Sequence, residues 1–429
     1  MNITYQQTIY HPSLYKLSKE SANVYNIALS RFWRVLRKKG IYLSDKNLAR
    51  WVESDVKREF NHSQSFQASY QQFCTNWKNY VKAIKKWKQE PKNFTSKPKP
   101  PYKQKPHQII RFKGGAIRIK GKELWLSLNK TEEPIKIKYN PKLPKPKQVL
   151  INYDHIDRVW KCSFVIKKEI LTNQSLTKER TASADLGVNR SVAIGVFDNK
   201  NLIKTRLHSG KILKSITRIE NKTKSKTQKK LSKLIKGSRK YIKILNASKK
   251  VSRRYKNRKK DILHKQSRQV VNDFIYFNVS KLFLGDCSSI HHKVDTGKKW
   301  NQLISQNPEQ LLGKYITYKF ESVGGVVETT PEHYTSKSCP KCNKKNTPKR
   351  RVYKCSSCKS IYDREEVAVI NIWKRGNNFK ISQEENINSC VVGVLTTPHG
   401  FKWNPYIGTP TLKPDCHKIS NNLATSFVA

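Results

Sequence analysis

Two cysteine pairs, CPKC at 339–342 and CSSC at 355–358, constrain this 429-residue chain more than any other feature. Each pair sets two thiolates on one turn, and two such turns close a tetrahedral all-sulfur site for one Zn2+. Redox Cys-x-x-Cys pairs come singly and sit beside a βαβ pattern, so the doubled arrangement points to metal. Four protein ligands leave the ion no open position; its work is to fold a ribbon, not to activate water. Cys74, Cys162, Cys287, Cys390 and Cys416 stand isolated, as reduced thiols do, which fits an intracellular protein.

Charge narrows the partner. Lys and Arg number 87 against 30 Asp and Glu, a net +57, and such an excess repels itself unless a polyanion is bound. The basic residues run along the whole chain rather than forming one amphipathic cluster, which favours nucleic acid over an anionic membrane surface. The sequence has no apolar run near the roughly 20 residues that span a bilayer, and its start lacks the apolar stretch of a secretory signal. The expected location is therefore the cytoplasm.

Periodicity divides the chain. NITYQQTIY at 2–10 reads as a strand, and Val24, Ile27, Ala28, Phe32, Val35 and Leu36 recur at helical spacing until Gly40. Phe66, Tyr70, Phe73, Trp77, Tyr80, Ile84 and Trp87 form an aromatic stripe on a long helix, which reads as core rather than as a base-stacking platform. A proline-rich basic linker fills 91–106. From 107 to 168 come short alternating runs of an antiparallel β-unit or barrel, with Arg118, Lys120, Lys136 and Lys138 facing outward, open equally to phosphate contact and to plain solvation. TASADLGVNRSVAIGVFD at 181–198 is a hairpin; 213–268 forms long basic helices; KLFLGDC at 281–287 is a strand, followed by a helix at 307–320 and a strand at 325–329. Beyond about 376 periodicity fades into an expected disordered tail.

Asp185 ends an apolar strand that feeds a glycine turn. A carboxylate there either binds something or caps the turn, and the residues alone leave both readings open.

In order and spacing, ADLGVNRSVAI at 184–194, EHYTSKSCPKC at 332–342, CSSC at 355–358 and DREEVAVINI at 363–372 resemble the TnpB proteins of bacterial transposons, relatives of compact type V CRISPR effectors and of Fanzor proteins. These motifs cover about half the chain; the N-terminal half is similar only in architecture. The resemblance implies an α/β and α+β multidomain fold. A β-barrel wedge domain (1–10 and 105–170) would be interrupted by a helical recognition domain (11–95). It would precede an RNase H-like RuvC nuclease domain (180–334 and 360–376) carrying an inserted zinc ribbon (335–360), with a disordered tail at 377–429. It also implies an RNA-guided endonuclease that cuts matching double-stranded DNA beside a short flanking motif, in a bacterial cytoplasm at the nucleoid.

A site of this kind takes three carboxylates from separate elements to clamp two Mg2+ ions against one phosphate. Asp185 matches the first position. At the second, Gly285 of Leu284-Gly285-Asp286-Cys287 stands where most members carry glutamate. Glu332 matches the position to which that glutamate is relocated in a TnpB subset and in Fanzor proteins, with Asp286 as the weaker candidate. The third aligns with Glu365 of Asp363-Arg364-Glu365-Glu366-Val367, where the family has aspartate, and Asp363 is the substitute if the helix starts differently. The extra methylene of Glu365 and the valine in place of the family's asparagine keep a second reading open: a guided DNA-binding protein with an impaired nuclease, acting as a repressor or decayed transposon protein. A basic zinc protein with no guide would explain the charge and the ribbon but not the order of the acidic motifs.

Overall fold

A computed structural model describes residues 2–106, 108–167, 180–287, 297–347, 351–377, 394–396, 401–403 and 410–412. It falls into two compact units, Met1–Glu169 and Ile170–Ala429.

The first unit opens with β1 (Asn2–Ile9), then α1 (Leu14–Lys39), α2 (Asp45–Asp55) and α3 (Ser63–Gln89). Helix α1 stops where expected: Gly40 adopts φ 64° and returns its N–H to the Leu36 carbonyl. The aromatic stripe of α3 is core. Phe66, Tyr70, Phe73 and Trp77 are buried, and Trp77 packs 4.5 Å from Phe32 and edge-on to Trp33, ring centroid to ring centroid 5.3 Å.

The β-part contains β2 (Ile110–Lys113), β3 (Ile117–Lys120), β4 (Glu123–Leu126), β5 (Ile135–Lys138), β6 (Gln148–Asp154) and β7 (Val159–Lys167). These make two antiparallel sheets, β1-β7-β6-β2 and β3-β4-β5, over one shared core that includes Phe112, Leu124, Ile137, Ile151 and Phe164. Arg118, Lys120, Lys136 and Lys138 are exposed, and the Nζ atoms of Lys120 and Lys136 lie 3.9 and 4.8 Å from the Trp125 ring.

The second unit begins with β8 (Arg180–Leu186), β9 (Arg190–Asp198) and β10 (Asn201–Ser209), continues through the basic helices α4 (Lys211–Leu231) and α5 (Arg239–Tyr276), and returns in β11 (Val279–Asp286). Then come α6 (Lys298–Gln306), α7 (Glu309–Glu321), β12 (Val326–Pro331), β13 (Val352–Lys354), β14 (Ile361–Asp363) and α8 (Arg364–Gly376). A short strand, β15 (Val394–Thr396), pairs parallel with β10, so part of the segment expected to be disordered extends this sheet. The rest of that tail, with Cys390 and Cys416, lies outside the described residues apart from the paired strands Phe401–Trp403 and Pro410–Leu412.

The sheet order is β12-β11-β8-β9-β10-β15. The three consecutive antiparallel strands β8, β9 and β10 are followed by β11, added parallel beside β8, and β12, added parallel beside β11, which is the RNase H-like arrangement that the resemblance implies. Alternation then sorts β8 by face. Ala182, Ala184 and Leu186 enter a core with Val270, Phe274, Leu312 and Phe320 of α5 and α7. Thr181 and Ser183 face α8: the Ser183 hydroxyl donates to the Val369 carbonyl at 2.6 Å and the Trp373 indole to Thr181 Oγ1 at 2.7 Å. Gly195, opposite Ser183, lets α8 come close, since a Cβ there would lie 3.0 Å from a methyl of Val369. Among the described residues no helix is long and apolar enough to cross a membrane.

Candidate active site

Asp185 follows Ser183 by two residues, so it projects from the α8 face of β8 near the strand's C-terminal end. The parallel β8–β11 register pairs Ala184 with Leu284 and carries Asp185 level with Gly285. Next to β11, the β12 register pairs Asp286 with Pro331, so Glu332 leaves the sheet one residue past the same edge. Glu365 arrives from a third direction, in the first turn of α8. All three carboxylates line one cavity of about 850 Å3, together with the 187–189 turn, the 333–337 loop, Arg190, Arg364 and Trp300.

Gly285 is what admits Glu332. A Cβ built on Gly285 would lie 2.7 Å from both Cγ and Cδ of Glu332, and closer still to Oε1. The glutamate side chain therefore fills the volume a residue-285 side chain would need. The Cys287 thiol donates to Glu332 Oε1 at 3.6 Å, and burial keeps that thiol protonated.

The electrostatics are those of half-buried acids gathered on one cavity wall. Burial raises Asp185 well above the usual carboxylate range; Glu332, Glu365 and Glu309 push it further and Arg364 opposes them. Glu332 is pushed up to about 7, again by burial first, with the Cys287 hydrogen bond working against it. Burial and the neighbouring Asp363 raise Glu365. A cation would favour the charged form of such a set, and oxygen ligands suit a hard divalent ion such as Mg2+. The carboxylates are not closed around a single point: among the described residues, only the four ribbon cysteines bring three or more ligand atoms within 4.8 Å of one another.

The two weaker candidates stand elsewhere. Asp286 follows Gly285 on β11 and so points to the other strand face, and it does not line the cavity. Asp363 is the N-cap of α8, its carboxylate accepting the Glu365 N–H at 2.9 Å.

Glu309 is a buried acid that sequence reasoning missed. It is 4% exposed at the start of α7, takes a 2.6 Å hydrogen bond from Asn307 on Oε1, and has no partner on Oε2. Asn307 also donates to the Gly187 carbonyl at 3.3 Å, tying this corner to the turn beside Asp185. A glutamate in the first turn of a helix looks like ordinary dipole complementation, so nothing in the sequence marks it. Arg190 was missed too; it is 5% exposed and its Nε has no hydrogen-bond partner.

The four cysteines stand together. Cys339 and Cys358 Sγ are 3.5 Å apart, as are Cys342 and Cys355, close to the roughly 3.8 Å edge of a tetrahedron with Zn–S bonds of about 2.3 Å. Each pair is followed by a left-handed residue, Asn343 at φ 57° and Lys359 at φ 58°, giving two matching knuckles. The thiol donors and their spacing fit one zinc ion.

Helix α8 joins the ribbon to the carboxylates. The Asn371 amide donates to the Thr335 and Ser338 carbonyls at 2.6 and 2.8 Å, Lys374 to Pro340 at 2.7 Å, and Arg375 to Pro331 at 2.9 Å. The segment from Glu332 to Cys339 is thus pinned to the helix that carries Glu365.

Comparison with known proteins agrees with this architecture. Residues 163–291 match a family model described as "Probable transposase" (OrfB_IS605), and residues 311–372 match the "Cas12f1-like, TNB domain" model. A TnpB-like protein of Methanocaldococcus jannaschii is 31% identical over 192 residues, 44% of this chain and 66% of that protein. A TnpB-like protein of Acanthamoeba polyphaga mimivirus is 30% identical over 168 residues, 37% of this chain and 32% of that protein. The chain thus spans two thirds or less of the length of these relatives.

In fold it is similar to the chain of a Cas12f1-sgRNA-target DNA complex, with a TM-score of 0.58, 15% identity, and coverage of 83% of this chain and 81% of that one. It is also similar to the mini-RNA-guided endonuclease CRISPR-Cas_phi3, with a TM-score of 0.53, 11% identity, and coverage of 87% and 92%. Matched motifs, matched relatives and a shared fold converge on one conclusion: the chain belongs to the TnpB family.

Proposed function

We propose that this protein is an RNA-guided DNA endonuclease of the TnpB type, and that Asp185, Glu332 and Glu365 hold two Mg2+ ions at its cutting site. The observation that carries the reading is the meeting of three half-buried carboxylates, from segments far apart in sequence, in one cavity. Bound Mg2+ would supply an activated water and stabilise the leaving oxygen. Asp185 and Glu365 reach the cavity from opposite elements, and Glu332 reaches it across Gly285. Arg190, Arg364 and Lys337, which line the same cavity, would add positive charge for a phosphate held there.

The partners follow from charge and kinship. A guide RNA would read target sequence by base pairing, while the protein holds the heteroduplex through its backbone and reads a short flanking motif in the target double-stranded DNA. The basic helices α4 and α5 and the exposed cations of β3 and β5 are the surfaces suited to that work. One Zn2+ on the cysteine quartet would be structural, and the site of action would be the cytoplasm, at the nucleoid.

Expression with the flanking DNA, sequencing of co-purified RNA, and incubation with a guide-matched plasmid in Mg2+ tests the reading. Cutting that disappears in Asp185→Ala is the expected result. Tight guided binding with no cutting would replace it by the nuclease-impaired reading.

A further inference from the structure

Next to the carboxylate cavity lies a second concavity of about 510 Å3 between α4 and α6, lined by Lys214, Arg218, Lys222, Lys299, Leu303 and Gln306 among others, and by no acidic residue. Lys214, Arg218 and Lys222 follow one another at four-residue steps and so stack along one face of α4, about 6 Å apart along the axis. Helix α6 buries none of its residues. Its Trp300 is 44% exposed and lines the carboxylate cavity, not this groove. Lys214 joins the two: its Nζ donates to Asn189 Oδ1 at 2.6 Å in the turn beside Asp185, and lies 5.6 Å from the Trp300 ring centroid.

A large aromatic ring left exposed on a helix with no core of its own, beside a row of cations, suits a single strand of nucleic acid. Phosphates follow the cations and an unpaired base stacks on the ring. Stacking is tolerant of base identity, as a site must be when sequence is read elsewhere. We infer that the α4–α6 groove is the entry path of the single DNA strand about to be cut, with one of its bases stacked on Trp300 beside the carboxylates. The inference rests on the proposed nuclease reading for what happens at the end of the path, though not for the path itself.

The test uses the full chain with its co-purified RNA. In the Asp185→Ala background, a single-stranded DNA containing 5-iodo-deoxyuridine is photo-cross-linked and the adduct mapped by mass spectrometry; attachment at Trp300 is expected. Lys214→Ala, Arg218→Ala and Lys222→Ala are each expected to reduce the log–log salt slope of single-strand binding by about 0.7. In the Asp185-containing chain, Trp300→Ala is expected to slow plasmid cutting roughly ten- to a hundred-fold, with Trp300→Phe recovering most of it. Because α6 buries nothing, and on α4 Lys214 is half-buried while Arg218 and Lys222 are exposed, these variants should fold as the parent does, which their melting temperatures check.

Adducts confined to other residues, unchanged salt slopes, or full cutting by Trp300→Ala would overturn the inference. If the unsubstituted chain does not cut at all, the nuclease reading fails, while the adduct and the slopes still decide the strand path.

Discussion

Glu332 occupies the space that a side chain on Gly285 would need. Gly285 lies on β11 and Glu332 one residue past the end of the neighbouring β12, and the absence of a Cβ on β11 is what lets this carboxylate reach over it toward Asp185. A carboxylate thus enters the cavity from the adjacent strand end.

The exchange can be reversed by mutation. Gly285→Ala should displace Glu332 and slow cutting on the order of a hundred-fold, the scale of loss that follows an ångström-sized misplacement. Gly285→Glu alone should fail through crowding, and Glu332→Ala alone through loss of the ligand. The double variant Gly285→Glu/Glu332→Ala should cut faster than either single variant, a non-additivity that plasmid-cleavage rates would reveal directly.

Raised carboxyl groups also predict how Mg2+ and pH combine. Asp185 and Glu332, the latter at about 7, keep protons in the folded chain that the unfolded chain has already released. Metal-free stability should therefore fall as pH rises from the unfolded carboxyl range through about 7, where Glu332 releases its proton. Mg2+ takes over from those protons, so its stabilising effect should be larger at pH 8 than at pH 5.5. Thermal melts with and without Mg2+ at the two pH values check this; an equal rise at both would count against a shared ion site.

Glu309 offers a separate readout. Its charge pushes Asp185 and Glu332 upward, so Glu309→Gln should lower both and shift the acidic limb of the cleavage–pH profile to lower pH. A profile that does not move would leave Glu309 a purely structural acid.

How much of this was readable beforehand differs by element. The ribbon was legible because metal geometry fixes ligand spacing in the chain itself, β8 because its small apolar and polar residues alternate, and β9 and β11 because each carries an apolar stretch, 192–194 with 196–197 and 282–284 respectively. Strand β10 went unread: register shifts between Leu202 and Lys204 and between His208 and Ser209 break the alternation that marks a strand, leaving Leu202, Thr205, Leu207 and His208 buried out of phase. Helix α6 went unread because it buries nothing. Among the candidate carboxylates, the motif order pointed to Glu332, but only the fold shows Gly285 making room for it. Asp363 could not be told from Glu365 until the α8 N-cap was visible. Arg190 and Glu309 are ordinary polar residues in the sequence, and only the fold buries them beside the carboxylates.

Asn371 tests the mechanical link between ribbon and site. Asn371→Ala removes two hydrogen bonds to the carbonyls of Thr335 and Ser338 in a buried position, a loss of about 1–3 kcal/mol. Zinc content should stay at one ion per chain while cutting slows, because the Glu332 segment loosens from the helix that carries Glu365. Removal of zinc by a chelator should slow cutting as well, and should also lower the melting temperature by more than Asn371→Ala does. Zinc loss that leaves cutting untouched would separate the ribbon from the site.

The central claim is that Glu332, and not Asp286, completes the carboxylate set with Asp185 and Glu365. Cutting of a guide-matched plasmid in Mg2+ by Glu332→Ala and by Asp286→Ala, measured side by side with equal guide RNA loading, tests it most directly. The account predicts that Glu332→Ala cuts no faster than Asp185→Ala while Asp286→Ala stays within a few-fold of the unsubstituted chain, and full cutting by Glu332→Ala would contradict it.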